Sequence, residues 1–476
     1  MYYEKKYSLR KPERKKFTLS NFVGYDENKK SRTLPCDYVD CVFNYGFKNN
    51  KLVNSYGVSK FKKGGYEFPP LPEVKGRHGV FCTTMIVDDL PRFTALISYA
   101  GEVAFCVQGD KEWRTMKTNK SMAHTQGTIY YVNNEPCLFL AGDDGVEWFA
   151  NNIFYVAMGE PVLDLCVHYE RLFLVVKGIH NSVWFSQAGN PMVWEHEIDK
   201  GGYINFDGTV GEVNVIRSFN NYLYVFCDYG IYRLTAYGDQ TQFNLKKIYT
   251  SSGRIYAKSV TVCGEYIAFA GDEGIFLFDG YGVSRYTTKV NHLLSEGYDD
   301  IYACYSRNKY IISFTNEKTT DYGLYNEKRA NNMLLIFDIF DKSVNVMRGV
   351  SLKYLCAVNE KTCCKVVAIS DDCDTFVELD DSGLYLGEPM LKYWESGEID
   401  FGRPADVKLL KSVEYSAKNE YYLGIICNGE RQEFLLSPNE KKKSLYIKAK
   451  EFKFYIRSDN PVDEILPPTL VVDFLK

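Results

Sequence analysis

CDYGIYRL (227–234) is the stretch on which the fold turns. An aromatic-rich strand, Tyr222 to Cys227, runs into an Asp-x-Gly turn, and a second strand opens with Ile231. The same shape follows as AGDEGIFLF (270–278) and precedes as SQAGNPMVW (186–194), AGDDGVEWF (141–149), SYAGEVAF (98–105) and NSYGVSKF (54–61). Their glycines, Gly57, Gly101, Gly145, Gly189, Gly230 and Gly274, step by 44, 44, 44, 41 and 44 residues. Each is read as a hairpin whose Gly takes the positive φ that other residues adopt at a cost. In the strand before Asp228, Tyr222, Tyr224 and Phe226 share one face and Leu223, Val225 and Cys227 the other. A sheet apolar on both faces suits a blade held between neighbouring blades, and 40–45 residues is the length of a four-stranded propeller blade.

Outward from these six units the pattern loosens. KYIISFTNEKTTDYGLYNEKRANNMLLIFDIF (309–340) carries a long polar tip at Thr315–Asn332, and CKVVAISDDCDTFVELDD (364–381) turns near Asp371–Asp374. Eight hairpin-like units between about residues 37 and 390 predict a seven- or eight-bladed β-propeller, the first unit being able to lend strands to the last blade. From Tyr393 the spacing changes to strands 10–15 residues apart with turns at 427–429 and 437–439, which predicts a small antiparallel β-sandwich ending in PTLVVDFLK. The expected division is a basic arm at 1–32, a propeller at 33–392 and a sandwich at 393–476. The arm holds ten Lys/Arg against four Asp/Glu. It reads as a solvated segment or as one that reaches an acidic neighbour or DNA.

Composition agrees with an all-β protein. Among 476 residues, 38 Tyr and 30 Phe bring the aromatic share to 15%, and no capped helical stripe is found. The apolar share of 45% and charged share of 25% exclude a disordered or collagen-like chain, and a net charge of −4 names no nucleic-acid or membrane partner. No window approaches the roughly 18 apolar residues of a membrane helix, and the charged start MYYEKKYSLRKPERKKF shows no signal-peptide core.

Chemistry-bearing patterns are sparse. The 14 Cys lack any CxxC pair and are read as reduced thiols in apolar surroundings; the six His (78, 124, 168, 180, 196 and 292) never take HxH or HExxH spacing. Ser370–Phe376 only loosely resembles a sialidase Asp box, lacking its Gly and Trp. The acids Asp143-Asp144, Asp228 and Asp272-Glu273 read as turn residues bonding their own backbone. Phosphate-loop, nucleophile-elbow and dinucleotide motifs are missing, Gly280–Val283 being too short for the last. The five Trp (113, 148, 184, 194 and 394) lie in different units and read as blade packing. No catalytic, cofactor-binding or metal-ligating residue is assigned, and the chain is expected not to be an enzyme.

Four stretches carry a family resemblance. They are Asn44-Tyr45-Gly46 with Leu52 and Gly57; Ser186–Pro191 between Trp184 and Trp194, in the form W-x-S-x-x-G-[DN]-P-x-x-W; Gly211–Gly238; and Tyr256–Leu294 around Ile275–Gly280. Over most of its length the sequence resembles the tail-hub, or packaged-DNA stabilisation, propeller proteins of short-tailed bacteriophages and related tailed-phage proteins. The resemblance implies a virion structural protein assembled in the host cytoplasm. It would form a ring of copies below the portal and adaptor, with other tail proteins as partners, lining the DNA channel, retaining packaged genome until ejection and carrying no catalytic residue. The alternative expectation is a carbohydrate-binding, receptor-recognising propeller of the tail, with a sialidase-like glycosidase behind it.

Overall fold

Middle strands of the repeat are buried on both faces: Arg171–Val176 at every position and Tyr222–Cys227 at all but the first. That is the burial expected of sheets stacked face to face, and the computed structural model has this arrangement. It describes residues 12–22, 34, 39–72, 79–87, 90–99, 101–118, 124–150, 153–178, 181–287, 290–294, 300–316, 329–359, 364–461 and 463–475. Most of the expected arm and of the polar tip, His78, His180 and Cys363 lie outside these residues. Two compact units divide the chain, one of residues 60–342 with 349–379 and one of residues 1–59, 343–348 and 380–476.

The first unit is a β-propeller. Five antiparallel four-stranded sheets follow one another in strict order, as in Val213–Phe219, Tyr222–Cys227, Gly230–Thr235 and Asn244–Thr250. The innermost strands are Gly79–Val87, His124–Val132, Val162–His168, Val213–Phe219, Thr261–Cys263, Tyr302–Ser306 and Lys353–Asn359. Each touches the next, and Lys353–Asn359 returns to Gly79–Val87, so among the described residues the ring closes with seven blades. The segment after Lys60 is part of that closure: the Phe61 N–H donates to the Phe376 carbonyl (2.8 Å) and the Leu71 N–H to that of Asp374 (2.6 Å). Phe61, Phe68 and Leu71 share one cluster with Phe93 of the first blade and Phe376 of the seventh. Other clusters likewise bridge neighbours, Phe173 and Val175 of the third blade packing with Val225 and Leu234 of the fourth.

Two glycines show what the period demands. Gly145 has φ 128°, and a Cβ there would lie 2.1 Å from the Met158 carbonyl oxygen. Gly230 does not take a positive φ; its missing Cβ makes room for the Tyr249 carbonyl, which would sit 2.7 Å away. In both blades the fourth strand shifts register opposite the glycine, so close approach at a bulge, as well as the turn, selects the residue. The positive-φ expectation holds for Gly101, Gly145, Gly189 and Gly274 and fails for Gly57 and Gly230. The turns between first and second strands follow a different rule, with Asn133-Asn134 and Asn220-Asn221 both left-handed, as a two-residue hairpin requires.

The second unit contains the β-sandwich. Its sheets run Glu13–Thr18, Thr469–Leu475, Val407–Glu414, Lys442–Ala449 and Val39–Phe43, Lys392–Ser396, Lys453–Ser458, Tyr421–Cys427, Glu430–Leu436. Phe22 against Trp394 and Tyr415 against Tyr421 are edge-to-face contacts in its core. The expected boundaries at 33 and 393 therefore differ from the structure, since strands from both chain ends build this unit. Part of the basic arm is an edge strand: Arg14 makes a two-point bond to Asp473 (2.7 and 2.9 Å), and Lys16 reaches Glu414 (2.7 Å). Its charges suit an edge, and the acids they meet belong to the same chain. Asn44 pins the second unit from a left-handed turn (φ 59°), donating to the carbonyls of Arg348 (3.0 Å) and Leu391 (2.8 Å) and accepting from the Arg348 N–H (3.0 Å).

Candidate functional site

A four-stranded antiparallel meander starts on one edge strand and finishes on the other, but enters and leaves at the same end of the strands. Consequently the first and third turns of every propeller blade open on one face, and the second turns and interblade links on the other. The sequence repeats alike at both; their side chains do not.

On the face of second turns and links, charges meet charges. Asp143 pairs with Lys177 (3.5 Å), Asp228 with Arg254 (3.6 Å), Lys258 with Asp300 (3.7 Å), and Lys353 with Asp371 (2.8 Å). The turn acids also hold backbone, though not that of their own turns as the sequence suggested. Asp228 accepts from the Glu212 N–H (2.8 Å) and the Asn214 amide (3.1 Å). Asp272 accepts from the Arg254 N–H (2.7 Å) and the Tyr256 hydroxyl (2.6 Å). Both therefore fasten the chain leading into their own blade. Asp371, in the stretch that loosely resembles an Asp box, does the same through the Ser351 hydroxyl (3.1 Å).

On the opposite face aromatic rings end in solvent. Tyr131 is 65% exposed, Tyr169 44%, Tyr237 69%, Tyr281 82% and Phe340 74%, with Ile198 at 70%. They come from the first and third turns of blades two to six, or from the strand ends beside them. Other tyrosines of this face are spent inside it: Tyr130 donates to the Glu170 carbonyl (2.7 Å) and Tyr224 to that of Gly280 (3.1 Å), tying each blade to the next. Tyr169 meets Tyr237 edge-on at 5.0 Å. Among the described residues, the ion-paired face carries one comparable ring in Tyr229, 43% exposed.

His168 lies at the aromatic face, where its Nδ1 is 2.8 Å from the Ser218 hydroxyl and its Nε2 is buried without a partner among the described residues. Burial pulls its pKa down to about 4, so the ring is neutral near pH 7. Among the described residues no carboxylate bonds to either ring nitrogen. At the axis, the innermost strands enclose a cavity of about 470 Å³ lined by all seven blades. Arg217 and Asp164 form an ion pair in its wall (2.6 Å); burial raises the Asp164 pKa while the guanidinium lowers it. That space matches a small molecule and does not admit a DNA duplex.

Three tryptophans that the sequence places in different units, Trp148, Trp184 and Trp194, pack half-buried against one core cluster shared by blades two and three. Trp148 stacks on Phe139, Trp394 is fully buried in the second unit, and Trp113 donates to the Pro69 carbonyl (3.3 Å). Twelve described cysteines are free thiols. Among the described residues no helix is long and apolar enough to cross a membrane, and no cluster of His, Cys, Asp and Glu has the geometry of a metal site.

No protein-family model and no curated protein matches this chain. Solved structures similar at low identity include two of BBS1N in complex with ARL6DN. The one soaked with mercury has a TM-score of 0.42 at 8% identity, over 64% of this chain and 92% of that chain. The one soaked with lead has a TM-score of 0.44 at 7% identity, over 66% and 94%.

Proposed function

We propose that this chain is a structural subunit of a bacteriophage virion, a tail-hub or nozzle protein that assembles with copies of itself below the portal and adaptor. The supporting observation is the one-sided distribution of exposed rings: Tyr131, Tyr237, Tyr281 and Phe340 stand on one propeller face, while among the described residues of the other only Tyr229 is comparable. Exposed aromatics are the residues that dominate protein docking surfaces, whereas an isolated soluble domain keeps large apolar patches small. The partner on this face is a protein of the same assembly, a second copy or the adaptor. In this reading the DNA channel is the lumen between copies, because the cavity of about 470 Å³ within each propeller is too small for it. The family resemblance in the blade sequences supports the same role.

Light scattering on the full chain tests the reading. The wild type is expected to form a defined oligomer, and Tyr237→Lys with Tyr281→Lys to leave a folded monomer. A wild-type chain that stays monomeric alone and with portal and adaptor present contradicts it. Removing residues 1–32 is the poorer experiment, because it takes away the edge strand Glu13–Thr18 and the buried Leu19 and Phe22.

A further inference from the structure

The propeller closes where its first and last blades meet, and the seam between them holds two thiols. In the first blade Cys82 lies directly opposite Ala95, and in the seventh Cys356 lies directly opposite Val367. Residues opposite one another in an antiparallel pair project from the same face of the sheet. Ala95 and Val367 belong to a single core cluster built by the two blades, and Cys82 packs against it. Each cysteine therefore points towards the other's blade. Cys356 Sγ reaches across the seam to the Val80 carbonyl (3.9 Å), and both the thiol and the backbone N–H of Cys82 face that same sulfur.

The pair also has the chemistry of exchange. Both residues keep part of their surface open, whereas Cys106, Cys137, Cys227, Cys263, Cys304 and Cys427 are buried. The hydrogen bond donated by Cys82 lowers the pKa of Cys356 against the effect of burial, and the same bond, with burial, raises that of Cys82. The thiolate is the nucleophile in disulfide exchange, so Cys356 is the attacking sulfur and Cys82 the resolving one.

We propose that Cys82 and Cys356 are a modification site, oxidised by low-molecular-weight organic disulfides to a bond that staples the first blade to the seventh. Cys356 attacks one sulfur of the small disulfide, which releases a thiol and leaves a mixed disulfide on the protein. Cys82 then gives up its proton and attacks the Cys356 sulfur, releasing the second small thiol. Two protein thiols and one small disulfide become one protein disulfide and two small thiols, so two electrons and two protons pass to the oxidant. In the reduced chain the seam rests on packing and on backbone bonds such as Phe61 to Phe376. The staple closes a loop that contains blades two to six, and cross-links around long loops restrict the unfolded chain most. The site stands apart from the assembly reading, since both thiols belong to one chain and need no oligomer.

Exposure of the folded, full-length protein to 2-hydroxyethyl disulfide tests it, with remaining thiols alkylated before peptide mass analysis. A linked peptide joining Cys82 to Cys356 is expected. The oxidised protein is expected to unfold at a urea midpoint about 1 M above that of the reduced protein, and dithiothreitol to reverse the shift. Cys82→Ser and Cys356→Ser are each expected to fold when reduced and to lack both the linked peptide and the shift. The peptide map of the wild type decides the matter even where a variant proves too unstable to purify. The proposal is overturned if the folded wild type yields no such peptide, if Cys356 pairs with Cys304 instead, or if the oxidised protein unfolds at the same urea concentration as the reduced one.

Discussion

At one face of the propeller Asp228 and Asp272 are bonded into the chain that enters their blades, while at the other Tyr237 and Tyr281 end in water. The same meander generates both faces, and alternate turns of one repeat supply them. What differs is what the side chains do for the fold. The ion-paired face carries the bonds that start each blade, so its side chains are tied to stability. The aromatic face keeps Tyr130 and Tyr224 for that purpose and leaves a second set of rings outside it. Rings that contribute little to the fold and lie in solvent are available to a partner.

This contrast can be broken by substitution, and the largest effect is expected at the glycines. Gly145→Ala, on the ion-paired side, combines a φ of 128° with a contact of 2.1 Å to the Met158 carbonyl. It is expected to cost about 3 kcal/mol. Gly189→Ala, at a third turn with φ 71° and nothing within 4 Å of the new Cβ, is expected to cost about 1 kcal/mol. Urea unfolding of the two variants measures the difference, and equal losses contradict it.

Next comes Asp272→Ala, which leaves the Arg254 N–H without its acceptor and is expected to cost about 2 kcal/mol. Tyr281→Ser on the other face is expected to stay within about 0.5 kcal/mol of the wild type. Thermal unfolding of the pair shows whether the faces divide as described.

Acid gives an effect of similar size from the aromatic side. Folding lowers the pKa of His168 to about 4 from an ordinary value of 6.5. Between those values the unfolded chain binds the proton and the folded chain does not, so stability falls as pH drops below 6.5 and levels off below about 4. From pH 7 to pH 5 this residue is expected to remove about 2 kcal/mol. His168→Gln is expected to flatten that part of the pH profile, and an unchanged profile contradicts the assignment.

The smallest effect belongs to the Asp143–Lys177 pair. Both partners are more than half exposed, and a double-mutant cycle is expected to return below about 1 kcal/mol.

Much of the propeller is legible before any coordinates. The roughly 44-residue step carries the blade, and at Gly145 and Gly230 a bulged fourth strand excludes a Cβ. The blade number is not legible: the unit around Gly57 has the same local pattern as its fellows, and only pairing 315 residues away, as between Phe61 and Phe376, shows its neighbours. Glu13–Thr18 looks like a solvated arm for a related reason. Four of its six residues are charged, which suits an edge strand as well as a free tail, and its partners stand near residue 470. The faces are hidden in a subtler way. Tyr224 and Tyr281 are the same residue type in neighbouring repeats, yet one is 1% exposed and the other 82%. Nothing local in the sequence marks Gln240, which ties its blade to the preceding one by donating to the Glu197 carbonyl.

Hydroxyl-radical footprinting of the assembled protein against the free chain tests the central claim most directly, because it reads individual rings. Tyr131, Tyr237, Tyr281 and Phe340 are expected to lose reactivity on assembly while Tyr229, on the ion-paired face, keeps it. Protection of Tyr229 with the other four unchanged would contradict the account.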